Sequence, residues 1–231
     1  MILAVTGLQR EARILAGPGV TVIAGGGDRA RLAREIEAAA PGARAIISIG
    51  LAGALKPGLR PGNWVVASKV IAPDERYRPD PAWTEYLGRA LRAVTGDVLG
   101  SDEMASDVST KQRLREATGA VAVDMESHVA AEAAARHGLP FAVARAISDA
   151  CDRALPRAAQ AGMAPDGRMD VMAVLKALAS RPWELPALIR TGIEAEAAFG
   201  ALLRGRQGLG AALGLAAGLG ADLGELPLDV A

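Results

Sequence analysis

Residues 45–53 read Ala-Ile-Ile-Ser-Ile-Gly-Leu-Ala-Gly. The first five, Ala45 to Ile49, form an uncharged run rich in β-branched side chains, which predicts a strand buried on both faces. Gly50 and Gly53 then read as a tight turn at the carboxyl end of that strand. Working outward, further strands are expected at Ile2–Thr6 (ILAVT), Val20–Ala24, Asn63–Val70, Ala120–Asp124 and Phe141–Ile147 (FAVARAI). Between them lie stretches of helical composition: Gln9–Leu15, Arg29–Ala40, Ala82–Ala93, Thr110–Ala117 and Met125–His137, with Met169–Ala179 and Leu185–Leu203 after the last strand. Pro41-Gly42 and Gly138 act as helix stops. The proline-broken stretch 73–81 reads as a loop. This alternation predicts a single-domain three-layer α/β fold over residues 1–204, with a central mixed sheet flanked by helices. A Gly/Leu-rich C-terminal tail is expected over 205–231.

Composition narrows the function. The 231 residues carry 26 Lys and Arg against 26 Asp and Glu, so there is no positive excess for neutralising phosphates, and nucleic acid is not an expected partner. Aromatics are 3% of the chain, too sparse for a base-stacking platform. A lone Cys151 excludes an internal disulfide, and with only His128 and His137 beside it no metal site and no cofactor is called for. Chemistry is expected to rest on carboxylates. Met1 to Leu8 is apolar without a basic flank, so it does not read as a signal peptide. The uncharged stretch from Gln207 to Ala221 is shorter than a bilayer span and interrupted by glycines, so the expected location is cytoplasmic, with peripheral membrane contact through this tail as the sharper alternative.

In α/β sheets ligands collect at the carboxyl ends of the strands. Four such ends carry chemistry here: Gly7 followed by Glu11; Gly50-Leu51-Ala52-Gly53; Asp124-Met125-Glu126; and Ser148-Asp149. Each also has a bland reading. Glu11 fits a solvated helix charge, Glu126 a complement to a helix dipole, and Ser148 or Asp149 a cap. Gly25 to Gly27 reads as a plain turn rather than an anion cradle, because Asp28 beside it opposes phosphate.

Taken together, two blocks are specific. Ile46 to Ser68 (IISIGLAGALKPGLRPGNWVVAS) and Ala122 to Arg153 (AVDMESHVAAEAAARHGLPFAVARAISDACDR) resemble the nucleoside phosphorylase and nucleosidase superfamily, in particular its methylthioadenosine/S-adenosylhomocysteine nucleosidase branch. Within it, Val5 to Ile14, Gly25 to Asp28, Arg181 to Arg190 and Asp222 to Val230 resemble the hopanoid-associated phosphorylases, also described as adenosylhopane nucleosidases. The resemblance implies a phosphorylase/hydrolase-like fold, a homo-oligomer such as a dimer, and a small-molecule nucleoside substrate with a large apolar 5′ group.

Cleaving a purine N-glycosidic bond requires an acid for the departing base, negative charge near the cationic sugar, and a nucleophile at C1′. By resemblance, Asp149 is the acid aimed at purine N7, held protonated by a secluded site. Ser148 positions its loop, Glu126 binds the ribose hydroxyls, and Met125 packs on the sugar. Glu11 orients or deprotonates water, Met104 covers the base, and the Gly50-Leu51 segment borders the nucleophile. Leu51 departs from the hydroxyl residue usual at that position, and the Arg with which phosphorylases grip phosphate near Ser48 is missing from its matching position. Water is therefore favoured over phosphate as nucleophile. A phosphorylase on the same substrate and a non-catalytic nucleoside-binding protein are the alternatives. Leu51, Leu55, Trp64 and the tail are candidates for lining the 5′ side. A dinucleotide fingerprint is missing after the first strand, where Thr6-Gly7-Leu8-Gln9 offers one glycine.

Overall fold

The computed structural model describes residues 1–162, 164 and 167–215. Eight strands form its sheet: β1 (Ile2–Thr6), β2 (Val20–Ala24), β3 (Ala45–Ala54), β4 (Trp64–Ile71), β5 (Arg76–Tyr77), β6 (Val94–Gly100), β7 (Ala122–Asp124) and β8 (Phe141–Asp149). The helices are α1 (Gln9–Leu15), α2 (Arg29–Ala39), α3 (Pro81–Ala90), α4 (Val108–Thr118), α5 (Ser127–His137), α6 (Arg157–Ala161), α7 (Val171–Ser180) and α8 (Leu185–Leu209). β2, β1, β3 and β8 are neighbours and all parallel. β8 then pairs antiparallel with β4, β4 parallel with β6, β6 parallel with β7, and β7 antiparallel with the far end of β3. The mixed sheet thus closes on itself through β3, β8, β4, β6 and β7.

Alternation along the strands fills both faces. Leu3, Val5, Ile46, Phe141 and Val143 pack with Leu32 and Ile36 of α2 and with the alanines of α5. Ile2, Ala4, Ile47, Ile49, Ala142 and Ala144 pack on the opposite face with Trp83 and Leu87 of α3 and Ala198, Ala201 and Leu202 of α8. Each fully buried Leu or Ile contributes roughly 1.5–3 kcal/mol. The alanine-rich α5 buries seven of its residues, including Ala130, Ala131, Ala133 and Ala134, because small side chains let it lie close against the sheet.

Several expectations need correction. Gly50 and Gly53 are not a turn: β3 continues through them, paired with Arg145 and Asp149 of β8. A Cβ on Gly50 would lie 2.7 Å from Thr6 Oγ1 and 2.8 Å from Glu11 Oε1, and one on Gly53 3.2 Å from Asp149 Oδ2. Glycine there leaves room for side chains crossing the strand. β6 was not anticipated, because Gly96 and Asp97 disguise it. A Cβ on Gly96 would lie 2.8 Å from Val121, so close approach to the start of β7 excludes a side chain. The loop expected at 73–81 holds the two-residue β5, and α6 was not anticipated. The boundary expected between residues 204 and 205 falls inside α8, where Gly205 packs on Trp64 and Leu209 is buried. Residues 216–231 of the expected tail lie outside the described residues.

Candidate active site

Glu11 is 2% exposed. It stands at the third position of α1 and reaches back to the start of its own helix. Its Oε2 accepts from Thr6 Oγ1 at 2.7 Å, Gly7 N at 2.9 Å and Leu8 N at 2.5 Å, while Oε1 accepts from Leu51 N at 2.6 Å. A carboxylate gripped by four donors has one orientation. The solvated-charge reading of Glu11 is overturned.

Asp124, at the end of β7, accepts from the backbone amides of Glu126 at 3.0 Å and Ser127 at 2.8 Å. Asp124 therefore caps α5, and Glu126 is released from that duty to turn into the cavity. Between them lies Arg145, fully buried in the middle of β8. Its Nε is 2.7 Å from Asp124 Oδ2, its Nη1 is 3.5 Å from Glu126 Oε2, and its Nη2 donates to Ser48 Oγ. Asp124 and Glu126 thus share a single guanidinium, and Glu11 lies close by, across Gly50, where an added Cβ would be 2.8 Å from Glu11 Oε1 and 3.0 Å from Arg145 Nη1. Burial pushes the Glu126 carboxyl up to about 8. Arg145 works against that rise, and the Asp124 and Glu11 charges add to it.

Asp149 ends β8 and is nearly buried. Its Oδ1 accepts from Ser148 Oγ at 2.6 Å, and its Oδ2 accepts from the Lys111 ammonium of α4. Lys111 is fully buried and also donates to Ala150 O at 3.0 Å and Arg153 O at 2.8 Å, so all three of its protons are placed.

These groups share one cavity of about 220 Å³. Glu11, Leu51, Met104, Met125, Glu126, Ser148 and Asp149 all line it. Gly50 is not on the lining; it lies beneath, against Thr6, Glu11 and Arg145. The cavity is walled further by Leu155, by Ala159 and Gln160 of α6, and by Thr191 and Ala195 of α8. Leu55 and Trp64 do not reach it. Leu55 packs with Ile71, Leu99 and Val123, and Trp64 lies under α8 against Gly205. The Gly25 to Gly27 turn offers few donors, since the amides of Gly25 and Gly26 bond to Thr6 O and Gly7 O and Asp28 caps α2 through Arg31 N.

Arg145 and Lys111 were missed from sequence. Arg145 had a signal, a charge inside the apolar run FAVARAI, which only a paired group tolerates. Lys111 had none, for its helix reads as a solvated one. The phosphorylase Arg is missing from its position near Ser48 along the chain, yet Arg145 reaches Ser48 from the neighbouring strand.

The sequence profile of the phosphorylase superfamily matches residues 4–180. The chain belongs to the phosphorylase superfamily. Among curated relatives of this superfamily member, the 5′-methylthioadenosine/S-adenosylhomocysteine nucleosidase of Geobacillus kaustophilus is 30% identical over 45% of this chain and 54% of that protein. The nucleosidase of the same name from Mycobacterium tuberculosis is 28% identical over 47% of this chain and 60% of that protein. The chain thus spans about half the length of these relatives. Solved folds agree more broadly. A futalosine hydrolase mutant of Helicobacter pylori superposes with a TM-score of 0.60 at 15% identity, over 78% of this chain and 98% of that one. A methylthioadenosine/S-adenosylhomocysteine nucleosidase of Colwellia psychrerythraea, in complex with adenine, gives 0.60 at 17% identity, over 87% and 96%.

Proposed function

We propose that this protein is a nucleosidase that hydrolyses the N-glycosidic bond of a 5′-substituted adenosine, with adenosylhopane as the substrate, releasing adenine and ribosylhopane. The observation that carries the reading is the convergence of Glu11, Glu126 and Asp149, distant in the chain, on one cavity. Support also comes from curated relatives named as 5′-methylthioadenosine/S-adenosylhomocysteine nucleosidases.

Each group has a task in that chemistry. Asp149 accepts at both oxygens, from Lys111 and Ser148, and so carries no proton of its own in the free protein. The proton for purine N7 is relayed through it from the Lys111 ammonium, which is left as a neutral amine. Glu126 accepts from the ribose hydroxyls, and in its ionised form favours the oxocarbenium-like sugar. Met125 covers the sugar and Met104 the base. Glu11, held rigidly, orients the water. Phosphate in that position would face Glu11, Glu126 and Asp124, and the nearby guanidinium is engaged by Asp124 and Glu126, so water is the better nucleophile. The apolar 5′ group lies toward Leu51, Leu155, Ala159 and Ala195.

The test is chromatographic detection of adenine from adenosylhopane and from methylthioadenosine, with and without phosphate. Adenine should appear without phosphate, and Asp149→Asn should lower the rate roughly 10²- to 10⁴-fold. Strict dependence on phosphate would instead establish a phosphorylase. Tight nucleoside binding with no base released would establish a binding protein.

A further inference from the structure

Met104, assigned to the face of the base, sits in the irregular stretch 101–107 between β6 and α4. Unlike Glu11 on α1 and Asp149 on β8, it has no strand or helix of its own to fix it. The ends of the stretch are tied through backbone: Ser101 N donates to Asp124 O at 2.8 Å, and Leu155 N to Ser106 O at 2.7 Å. Glu103 N donates to Ser101 Oγ at 3.1 Å, a bond internal to the turn. Just after Met104, Ala105 is buried in the small cluster of Leu55, Ile71, Leu99 and Val123. Just before it comes Asp102, two positions away.

Asp102 joins this loop to two helices. Its Oδ1 lies 3.0 Å from His128 Nε2 of α5, and its Oδ2 accepts from Arg29 Nη1 of α2 at 2.9 Å. Arg29 Nη2 goes on to donate to Glu132 Oε1 at 2.9 Å, one turn along α5 from His128. Burial alone would raise the Asp102 carboxyl, but the bonds from His128 and Arg29 outweigh it and hold it below its ordinary range. A carboxylate only accepts, so His128 Nε2 carries the proton between them. The ring has little room to turn away. It is fully buried, and β6 passes so close that a Cβ on Gly100 would lie 2.5 Å from Nδ1. That Nδ1 is itself buried without a hydrogen-bond partner among the described residues, so Asp102 is the polar contact the ring has. The Gly25–Asp28 turn gains a task here. Asp28 caps α2 by accepting from Arg31 N at 2.9 Å, which sets Arg29 at the first position of the helix, against the loop.

The Arg29–Asp102 pair is 42% and 48% exposed, and pairs so placed contribute little to stability. Their effect is geometric: Met104 is held from both sides, by Asp102 and by Ala105. We propose that Asp102 is a positioning residue for the purine, which sets the Met104 thioether against the ring through His128 and Arg29. The ring that Met104 meets rests on the nucleosidase reading; the anchoring of the loop does not.

Kinetics on methylthioadenosine and calorimetric titration with adenine test this, on the wild type, Asp102→Ala, Met104→Ala and the double variant. Asp102→Ala should raise KM and the adenine dissociation constant roughly tenfold, the loss of one sulfur–ring contact, with kcat changed about twofold or less. Met104→Ala should do the same. The double variant should be no worse than Met104→Ala, because an anchor without Met104 has nothing left to place. Asp102→Asn keeps an acceptor for His128 and should recover part of the affinity. Arg29→Met, at the exposed end of the network, should move KM in the same direction by a smaller factor, and decides the matter should Asp102→Ala fail to fold. A wild-type protein that binds adenine but releases none would sink the nucleosidase reading, and the adenine affinities would still decide the anchor. The proposal is overturned if Asp102→Ala leaves KM and adenine affinity unchanged, or lowers kcat with KM untouched. It is equally overturned if the effects of Asp102→Ala and Met104→Ala add in the double variant, which would mean that Asp102 acts on something other than Met104, or if the wild-type protein neither binds nor releases adenine.

Discussion

Replacing Glu126 by Gln removes one charge from the crowd around Arg145 while keeping the shape of the side chain. Glu126 is an acid whose folded value, about 8, lies above its ordinary value of 4.5. Between those two values the folded protein keeps a proton that the unfolded chain has lost, so stability falls as pH rises. At about 1.4 kcal/mol per pH unit, the loss amounts to about 2 kcal/mol at pH 6 and about 5 kcal/mol once pH passes 8. The glutamine variant does not carry this slope. Its amide oxygen takes the place of Oε2 across the 3.5 Å from Arg145 Nη1, and exchanging a carboxyl for an amide adds an offset largely independent of pH. Urea unfolding of both proteins at pH 5, 6, 7, 8 and 9 separates slope from offset. The variant should gain on the wild type steadily from pH 5 to pH 8 and then level off. A difference that stays constant over this range, or one that moves against the variant at high pH, would refute the argument that burial, with the Asp124 and Glu11 charges adding to it, leaves Glu126 holding a proton. For the same reason, wild-type kcat/KM should climb toward pH 8 if the ionised carboxylate favours the cationic sugar.

Two further substitutions probe the supports of the site. Lys111→Met leaves Asp149 without its buried ammonium and should cost ~3–5 kcal/mol in denaturant unfolding. Most of that should return in Lys111→Met combined with Asp149→Leu, and a single-variant cost below about 1 kcal/mol would contradict the buried pair. Gly50→Ala inserts a methyl 2.8 Å from Glu11 Oε1 and 3.0 Å from Arg145 Nη1. It should lower kcat about 10²-fold with a smaller change in KM. Unaltered kinetics would show that Glu11 need not hold its place.

Local pattern was enough for most elements. β1, β2, α1 and the start of β3 are short apolar or amphipathic runs closed by Gly or Pro, and side-chain periodicity reports burial directly. The same pattern pointed to the strand ends, and so to Glu11, Glu126 and Asp149. It failed where a residue serves a distant neighbour. Gly96 looked like a break in the chain because Val121, which requires it, lies 25 positions away. Lys111 looked solvated because Asp149, its partner, lies 38 positions on. Arg145 was unreadable as the hub of the site because Ser48 is 97 positions away. Which carboxylate caps α5 and which enters the cavity also waited on the fold, since Asp124 and Glu126 differ only in where their backbones point. Sequence alone therefore determined the α/β class, the family blocks and the acidic trio. The tertiary structure decided which cations those charges meet, which glycines make way for them, and what anchors the Met104 loop. Spacing along a chain sets which side chains share a face, whereas Coulomb interactions and desolvation depend on distances in space that only the folded chain defines.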